Sequence, residues 1–496
     1  MALWYLMSLF VFVYISITLW KRRGKPPGPF GFPLVGYLPF IDTRKPYETF
    51  THLAKRYGSV YGLWMGQVYT VVLADPNIIR LVLSKEESTG RAPLFITHGI
   101  MGGYGIICAE GALWRDQRRL SIEWLRRLGM VKFGPTRSDL EQKIIDGINE
   151  LTQDIDASIK IESGFNPSPA IHHVLGNLMN NLIFGLSYEK TNSTWQYLQH
   201  LQEEGVKHIG ISMAVNFLPI LRYLPSTRRI IDFLLSGKSK THKIYDEIIA
   251  NARNQVETES YNSCILTSFL KESAKRQNVD RADAAFCSDK QLRHLMADLF
   301  GAGVDTTFTT IRWALLYIAL HPNVQERLRE ELQQRLPPHQ TPTLDDVEFL
   351  PYLCATIAEV QRIRTVVPVG IPHGTTKEIT IAGFRIPSNT MIMPLIWAVH
   401  MDPTVFAEPD TFKPERFLDI EGRFVTSSNF LPFQVGKRMC PGDELARNIL
   451  YLYISHIVLR YSFEIPREDI SSIDLSGECG ITLTPPHYRI AFTKTE

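Results

Sequence analysis

Residues 433–442 read FQVGKRMCPG. A lone cysteine in a glycine-containing turn is ordinarily a buried structural thiol. Phe433, Gly436, Arg438, Cys440 and Gly442 at this spacing point instead to a thiolate that holds a metal. A thiolate ligand needs positive potential and room for its partner. Gly436 and Gly442 lack Cβ atoms, so a large planar ligand can approach the backbone. Arg438 can pair with an acidic group on that ligand. The helical pattern after Pro441 turns its positive end toward the sulfur, and Phe433 can shield the sulfur from water.

Working outward, the chain reads as mainly helical with small β-sheets. From residue 365 to the cysteine motif the pattern is irregular and strand-like, rich in Pro, Gly, Val and Thr. Upstream, Ser288-Asp-Lys-Gln291 is a capping-box pattern. It predicts a long helix to about Leu320, where His321-Pro322 breaks it, and a second helix rich in Glu and Arg behind the break. Inside the long helix lies AGVDTT, residues 302–307, where Gly303 and the β-branched Val304, Thr306 and Thr307 weaken regular helix and predict a local opening. VYGLWMGQVYTVVLAD, residues 60–75, predicts a hairpin with Gly66 near its turn, and the polar stretch 251–290 predicts a loop. There is no short internal repeat and no long low-complexity segment, so residues 39–496 read as a single large domain.

Of the 496 residues, 45% are hydrophobic and 21% charged, enough apolar matter to bury a sizeable core. Lys and Arg total 53 against 51 Asp and Glu, a net charge of +2, which excludes a nucleic-acid binder held by bulk charge. The six cysteines form no CxxC pair, which excludes a disulfide scaffold and a clustered zinc site and fits a reduced compartment.

Residues 2–20 carry no charge, and at ~1.5 Å per residue a helix of that length spans roughly the ~30 Å hydrocarbon core of a bilayer. Trp4, Tyr5 and Trp20 lie near its ends, where amphipathic rings prefer to sit, and Lys21, Arg22 and Arg23 follow at once. A cleaved signal peptide would carry its positive charge before the apolar run and a small-residue cleavage site after it; neither is present. Residues 1–20 therefore read as a single-pass transmembrane signal anchor with the rest of the chain on the cytosolic side. The endoplasmic reticulum is the natural membrane for such an anchor. Residues 21–38 are basic and proline-rich, a stiff extended hinge.

The motif at 433–442 fits FxxGxRxCxG, and here the chain resembles the cytochrome P450 family of haem-thiolate monooxygenases. The resemblance runs from anchor and hinge to the C-terminus. It implies the family's fold, with haem b (iron protoporphyrin IX) as cofactor and Cys440 as axial ligand of the iron. It also implies O2 and NADPH-derived electrons as cosubstrates, the latter from a membrane-bound flavoprotein reductase. Trp114 and Arg118 make WxxxR and, with His373 and Arg438, match the family's partners of the haem propionates. Without the family, Trp114 and Arg118 are an unremarkable i,i+4 helical pair. Glu359, Arg362 and Arg416 resemble its buried structural Glu–Arg–Arg cluster. Asp305 and Thr306 resemble its catalytic acid–alcohol pair, which delivers protons to dioxygen without releasing peroxide; the other reading of this stretch is a small-residue helix crossing. Arg115, Arg119, Arg126, Arg127, Lys132 and Lys437 flank the motifs on the side where the family receives electrons, or form an ordinary solvated basic face.

Residues 97–119, 201–225, 362–374 and 477–485 further resemble insect steroid hydroxylases that act on carbon 25 of an ecdysteroid precursor, ketodiol to ketotriol. Ile106, Ile107, Phe217, Val366, Val367, Val369, Ile481 and Leu483, with Val215, Leu218 and Ile371, can supply the apolar wall such a steroid needs, or simply pack the core. The stretch 211–221 can instead dip into the lipid bilayer. Other readings stay open: a monooxygenase for another sterol position, fatty acids or xenobiotics; a haem-thiolate isomerase that needs no reductase; and a tethered haem-binding sensor.

Overall fold

The computed structural model describes residues 23–159, 164–208, 210, 214–257, 263–279, 282–337 and 340–495, with Trp4, Tyr5, Leu9, Phe12, Val13 and Ser16 of the N-terminal run. The expected anchor over 1–20 thus lies almost wholly outside the described residues. So do residues 211–213 of the stretch expected to reach the bilayer. Among those described, no helix is long and apolar enough to cross a membrane.

Helix α1 (Pro46–Tyr57) leads into strands β1 (Val60–Met65) and β2 (Val68–Leu73). These form the expected hairpin, in register from Val60 opposite Leu73 to Met65 opposite Val68. Its turn falls at Gly66, at φ +54°. Then come α2 (Pro76–Leu83), β3 (Gly90–Arg91), α3 (Gly111–Arg127), α4 (Pro135–Ser158), α5 (Ser168–Phe184), α6 (Ser193–His208), α7 (Pro225–Glu257) and α8 (Ile265–Asn278). The central helix α9 (Asp289–Leu320) is followed by α10 (Pro322–Arg335) and α11 (Pro351–Ile363). Strands β4 (His373–Gly374), β5 (Ile379–Ile381), β6 (Phe384–Ile386) and β7 (Met391–Pro394) occupy the region expected to be strand-like. The chain ends with α12 (Ile396–His400), α13 (Asp443–Arg460), β8 (Tyr461–Glu464), α14 (Arg467–Ile470), β9 (Glu478–Cys479), β10 (Leu483–Thr484) and β11 (Ala491–Lys494). The largest sheet has the order β1-β2-β7-β4-β3, and β2 pairs β7 in parallel, Thr70 opposite Met391.

Every residue of α9 from Thr307 to Ala319 is buried. A helix apolar on all sides belongs in the middle of a domain, and α9 packs against α5, α11 and α13. The stretch 251–290 is more ordered than its polarity suggests. It ends α7 and carries α8, which buries Ile265, Leu266, Phe269 and Leu270. The capping box at Ser288 is half formed: Ser288 caps the Gln291 N–H, but the Gln291 side chain pairs with Gly105 through both its amide atoms, at 3.0 Å each. The buried backbone of Gly105 is the partner that outcompetes the cap, because an unpaired buried amide is costly.

Candidate functional site

The loop that carries Cys440 is held shut by the Cys440 N–H, which donates to the Phe433 carbonyl at 3.0 Å. Gly436 sits at φ +83°, and a Cβ there would meet the Leu83 carbonyl oxygen at 2.2 Å. Its lack of a side chain therefore serves the packing of this loop on the end of α2, where Lys437 N–H also donates to Leu83 at 3.0 Å. This corrects the expectation that Gly436 makes room for a ligand. At Gly442 nothing lies within 4 Å of the position a Cβ would take. Gly442 caps α13, so that helix begins next to the sulfur. Burial pushes the Cys440 thiol up, while the Gly442 amide and Arg118 pull the other way. A thiol in this balance ionises when a metal takes it as ligand. The Phe433 ring lies under the Arg447 guanidinium, 4.8 Å from centroid to charge.

Beside this loop is a buried cationic corner. Arg438 stacks 4.3 Å above the Trp114 ring. It donates to the carbonyls of Thr89 at 2.6 Å, Ile107 at 3.2 Å and Ala109. Burial, then repulsion from Arg91, push Arg438 down to about 8. Arg91 is itself buried, donates to Ile107 at 2.6 Å and is pushed down by burial to about 10. Arg118, on the same helix as Trp114, donates to the Met439 carbonyl at 2.7 Å. His373 on β4 donates Nδ1–H to Ser88 at 2.9 Å. Its buried Nε2 makes no hydrogen bond of good geometry among the described residues, although the Gln434 side chain lies beside the ring, and burial holds the ring neutral, at about 3. Three guanidiniums and an imidazole share this corner with one carboxylate, Glu110, which accepts from the Arg91 backbone N–H and draws on both Arg91 and Arg438, so the corner keeps a net positive charge. A carboxylate placed there would satisfy the cations and draw a proton onto Nε2.

The Glu–Arg–Arg cluster forms as expected. Glu359 receives Arg362 at 2.7 and 2.8 Å and Arg416 at 3.0 Å, with the Lys413 N–H at 2.9 Å.

The stretch 302–307 does not open. The backbone stays α-helical throughout, and Thr306 Oγ1 donates to the Ala302 carbonyl at 2.8 Å. Packing on both flanks outweighs a propensity penalty of roughly 0.5–1 kcal/mol per residue. The space expected from an opened helix is found beside the helix instead. Ala302 is exposed although it lies mid-helix in the interior, and nothing stands within 4 Å of a Cβ on Gly301. Asp305 and Thr306 are not bonded to each other. Asp305 Oδ2 accepts from Thr482 Oγ1 at 2.9 Å, and burial pushes its carboxyl up to about 6.

Two of the segments expected to line a pocket bond α9, and the others are bonded to these or next to them. The Ile106 and Ile107 N–H groups donate to Asp298 of α9 at 2.7 and 2.8 Å. Ile96 N–H donates to Asn216 at 3.1 Å, which joins the 95–100 turn to the 214–218 stretch. Leu483 N–H donates to Val366 at 2.8 Å. Phe217, Val369 and Leu483 are packed in the core, whereas Ile107, Val366, Val367, Ile371 and Ile481 are partly exposed. Arg91, Gln291, Asp298 and Thr482 escaped the sequence reading. For Asp298 a signal existed: an acid in the apolar run LMADLF, two turns before Asp305.

The basic residues expected on the thiolate side are partly neutralised. Glu86 takes Arg115 at 2.7 Å and Lys437 at 3.3 Å, and Glu123 takes Arg127 and, at 3.6 Å, Arg119. Among the described residues, Arg126 and Lys132 make no ion pair.

A protein-family model described as Cytochrome P450 matches residues 26–492. Cytochrome P450 306a1 of Drosophila melanogaster is 44% identical over 521 residues, covering 95% of this chain and 89% of that protein. Cytochrome P450 18a1 of the same fly is 31% identical, covering 96% and 88%. Cytochrome P450 2J3 of Rattus norvegicus is 32% identical, covering 98% and 95%. With the cysteine loop, the anion-seeking corner and the central helix all in place, this chain belongs to the cytochrome P450 family.

Proposed function

We propose that the protein hydroxylates carbon 25 of an ecdysteroid precursor, ketodiol to ketotriol. Its class, a haem-dependent monooxygenase, follows from the family; the substrate and position are the step beyond it. Four stretches, 97–119, 201–225, 362–374 and 477–485, resemble the insect ecdysteroid 25-hydroxylase called phantom. The observation that supports the reading is that two of these stretches bond the middle of α9, a third bonds one of them, and the fourth bonds Ile96, one residue before the first stretch. Ile96 bonds Asn216, Ile107 bonds Asp298, Leu483 bonds Val366 and Thr482 bonds Asp305. A resemblance spread along the sequence thus gathers on segments tied to α9 directly or through a neighbour.

The residues present fit a haem. Cys440 would hold the iron; Arg438, Arg91, Arg118 and His373 would take the propionates beside Trp114; Gly442 would leave room for the ring. When bound, the haem with its thiolate ligand activates dioxygen and favours O–O cleavage. The balanced reaction consumes substrate, O2, two electrons and two protons, and yields alcohol and water. The chain's own part is to move protons and exclude water. Burial raises the Asp305 carboxyl to about 6, so it can take up and release a proton close to neutral pH. Thr306 donates to Ala302 and keeps its oxygen lone pairs to accept a hydrogen bond from a water in the hollow beside α9. The apolar wall keeps the steroid rings away from the reacting centre and seats the side chain. Carbon 25 is tertiary, so its C–H bond is weaker than those of the neighbouring methyl groups.

We place the protein on the endoplasmic reticulum membrane, its catalytic domain facing the cytosol, with electrons from an NADPH-dependent flavoprotein reductase. Phe30, Phe32, Leu34 and Phe40 of the hinge are exposed, as are Ile220, Tyr223 and Leu224. Both groups flank the β1–β2 turn, where Gly66 N–H donates to Val35 and Gln67 N–H to Phe217. That apolar face suits a lipid surface.

The test is to supply ketodiol, reductase and NADPH and to map any new hydroxyl by mass spectrometry and NMR. A 25-hydroxyl is expected, and Cys440→Ser loses both the product and the red-shifted carbon monoxide band. Hydroxylation elsewhere, or a preference for fatty acids or small xenobiotics, overturns the substrate assignment and leaves the class.

A further inference from the structure

The three-residue turn Gly480–Thr482 between β9 and β10 is clamped to α9 from several directions. Trp313 Nε1–H donates to the Leu483 carbonyl at 2.8 Å. Arg312 donates to Pro486 at 2.9 Å and, more weakly, to Pro485 at 3.3 Å. Gly480 N–H donates to Thr482 at 3.0 Å and closes the turn. These bonds use only backbone carbonyls of the 480–486 segment. The one side chain of the turn that reaches α9 through a hydrogen bond is Thr482, which is 1% exposed and gives its only hydroxyl proton to Asp305.

Asp305 is partly buried, and a carboxylate there keeps its place by the donors it finds. Among the described residues Asp305 has one, and a threonine hydroxyl suits that place for a reason valine could not share. It donates to an ionised carboxylate and, once the acid carries a proton, turns to accept from it. The contact survives both protonation states, so the carboxyl group keeps its place while its proton comes and goes. The neighbouring Ile481 is partly exposed while Thr482 is buried, so one short turn carries a partly open apolar group and the partner of the proton carrier.

We propose that Thr482 is a positioning residue for proton delivery: its hydroxyl fixes the Asp305 carboxyl group on the β9–β10 side of α9 and stays bonded to it through a change of protonation. This rests on the proton-carrying role given to Asp305 above. The charged groups that bear on Asp305 are few. Arg312 lies on its own helix and favours the ionised form; Thr482 does so from the turn. Behind Arg312 stand Tyr488, and Glu203 of α6, and His172 of α5, which feels Arg312 and is held neutral by its burial.

The test compares Thr482→Val and Thr482→Ser in the full-length haem-loaded protein. The first readout needs no turnover: infrared difference titration of the Asp305 carboxyl with isotope-labelled aspartate, identified by its absence in Asp305→Asn. Loss of a hydroxyl donor to a charged group should raise the Asp305 midpoint by about one unit in the Val variant, and the Ser variant should match wild type. The second readout is product formed per NADPH, whose pH inflection should move to higher pH in Val and return in Ser. Thr482→Ala reports the same loss if the Val protein does not accumulate. An unchanged Asp305 midpoint in the Val or Ala variant, or a Ser variant shifted as far as Val, overturns the positioning role. Neither result touches the substrate assignment, which is read from the product of the wild-type enzyme.

Discussion

Arg438 lies 4.3 Å over the Trp114 ring and spends three of its five N–H donors on the carbonyls of Thr89, Ile107 and Ala109. The remaining two point to a use that the polypeptide does not supply. Arg91 and Arg118 stand close enough to repel it, and buried like charges persist only when something compensates them. Glu110 compensates in part, and an anionic ligand would complete the compensation.

Replacing Arg438 should therefore weaken haem retention more than it weakens the fold. A hydrogen bond to a charged group is worth about 1.5–3 kcal/mol, which is roughly ten- to a hundredfold in affinity. Arg438→Leu should lose that much haem affinity, measured as haem transferred to an acceptor protein over time. Removing one of three mutually repelling cations relieves repulsion but takes a donor from the Thr89 and Ala109 carbonyls; the two effects offset, and the haem-free protein should lose less stability to denaturant than the haem-loaded protein does.

The Glu359 cluster predicts the opposite balance. Glu359 is fully buried and pairs with both Arg362 and Arg416. Glu359→Gln strands two buried guanidiniums, and breaking such a pair costs roughly 3–5 kcal/mol. The variant should show a markedly lower denaturant midpoint by circular dichroism with or without haem. A small change confined to the haem-loaded form would move this cluster from the fold to the cofactor.

These two corners differ in how far they could be read from sequence. FxxGxRxCxG and the pairing of Glu359 with Arg362 are local patterns, and both fold as their spacing suggests. Gly436 shows the limit: its neighbour is Leu83, far away in the chain, so spacing alone could not tell a ligand's space from a loop's packing. The opening expected at 302–307 failed because the propensity penalty, roughly 0.5–1 kcal/mol per residue, is small against the packing of α9 on distant helices. Asp298 and Thr482 were missed for the same reason. Their partners, the Ile106 and Ile107 amides and the Asp305 carboxyl, are brought to them only by the tertiary fold.

Asp298 gives a pH prediction. Burial raises its carboxyl to about 7, against the pull of the Ile106 and Ile107 amides and of Arg91. A group whose folded value is raised binds more protons folded than unfolded. Its stabilisation is complete below the ordinary carboxylate range and is lost as pH rises through about 7. Asp298→Asn cannot titrate. The stability of wild type relative to that variant should fall between pH ~4 and ~7 and level off above, read from denaturant midpoints across a pH series. A flat difference would mean that Asp298 is ionised throughout.

On the thiolate side the ion pairs sort the basic residues. Lys437 and Arg115 share Glu86, whereas Arg126 makes no ion pair among the described residues. An acidic reductase surface should feel Arg126 more strongly. Arg126→Glu should raise the apparent Michaelis constant for reductase several-fold at low salt. Lys437→Glu should do less, and both effects should shrink once the Debye length falls below ~8 Å. The dissociation constant for sterol should not move. Equal effects on sterol and reductase would remove this face from the docking site.

The wall beside α9 separates residues that touch a substrate from residues that hold the wall up. Leu483 is fully buried, and its carbonyl accepts from Trp313. Ile481 and Val367 are partly exposed. Enlarging Leu483 to Phe should overpack the core, at about 1–3 kcal/mol, and lower the denaturant midpoint without a particular effect on product position. Ile481→Phe and Val367→Phe should leave the midpoint and the carbon monoxide spectrum intact but move the hydroxyl away from carbon 25 or stop turnover. Positioning is all that these side chains contribute, because the tertiary C–H bond is already the easier one to break. A bulky ring that tilts the sterol side chain should therefore produce new products before it abolishes binding. Product mapping on ketodiol reads the shift directly. Unchanged products in both Phe variants, alongside a destabilised Leu483→Phe, would show that the 367 and 481 side chains do not face the sterol.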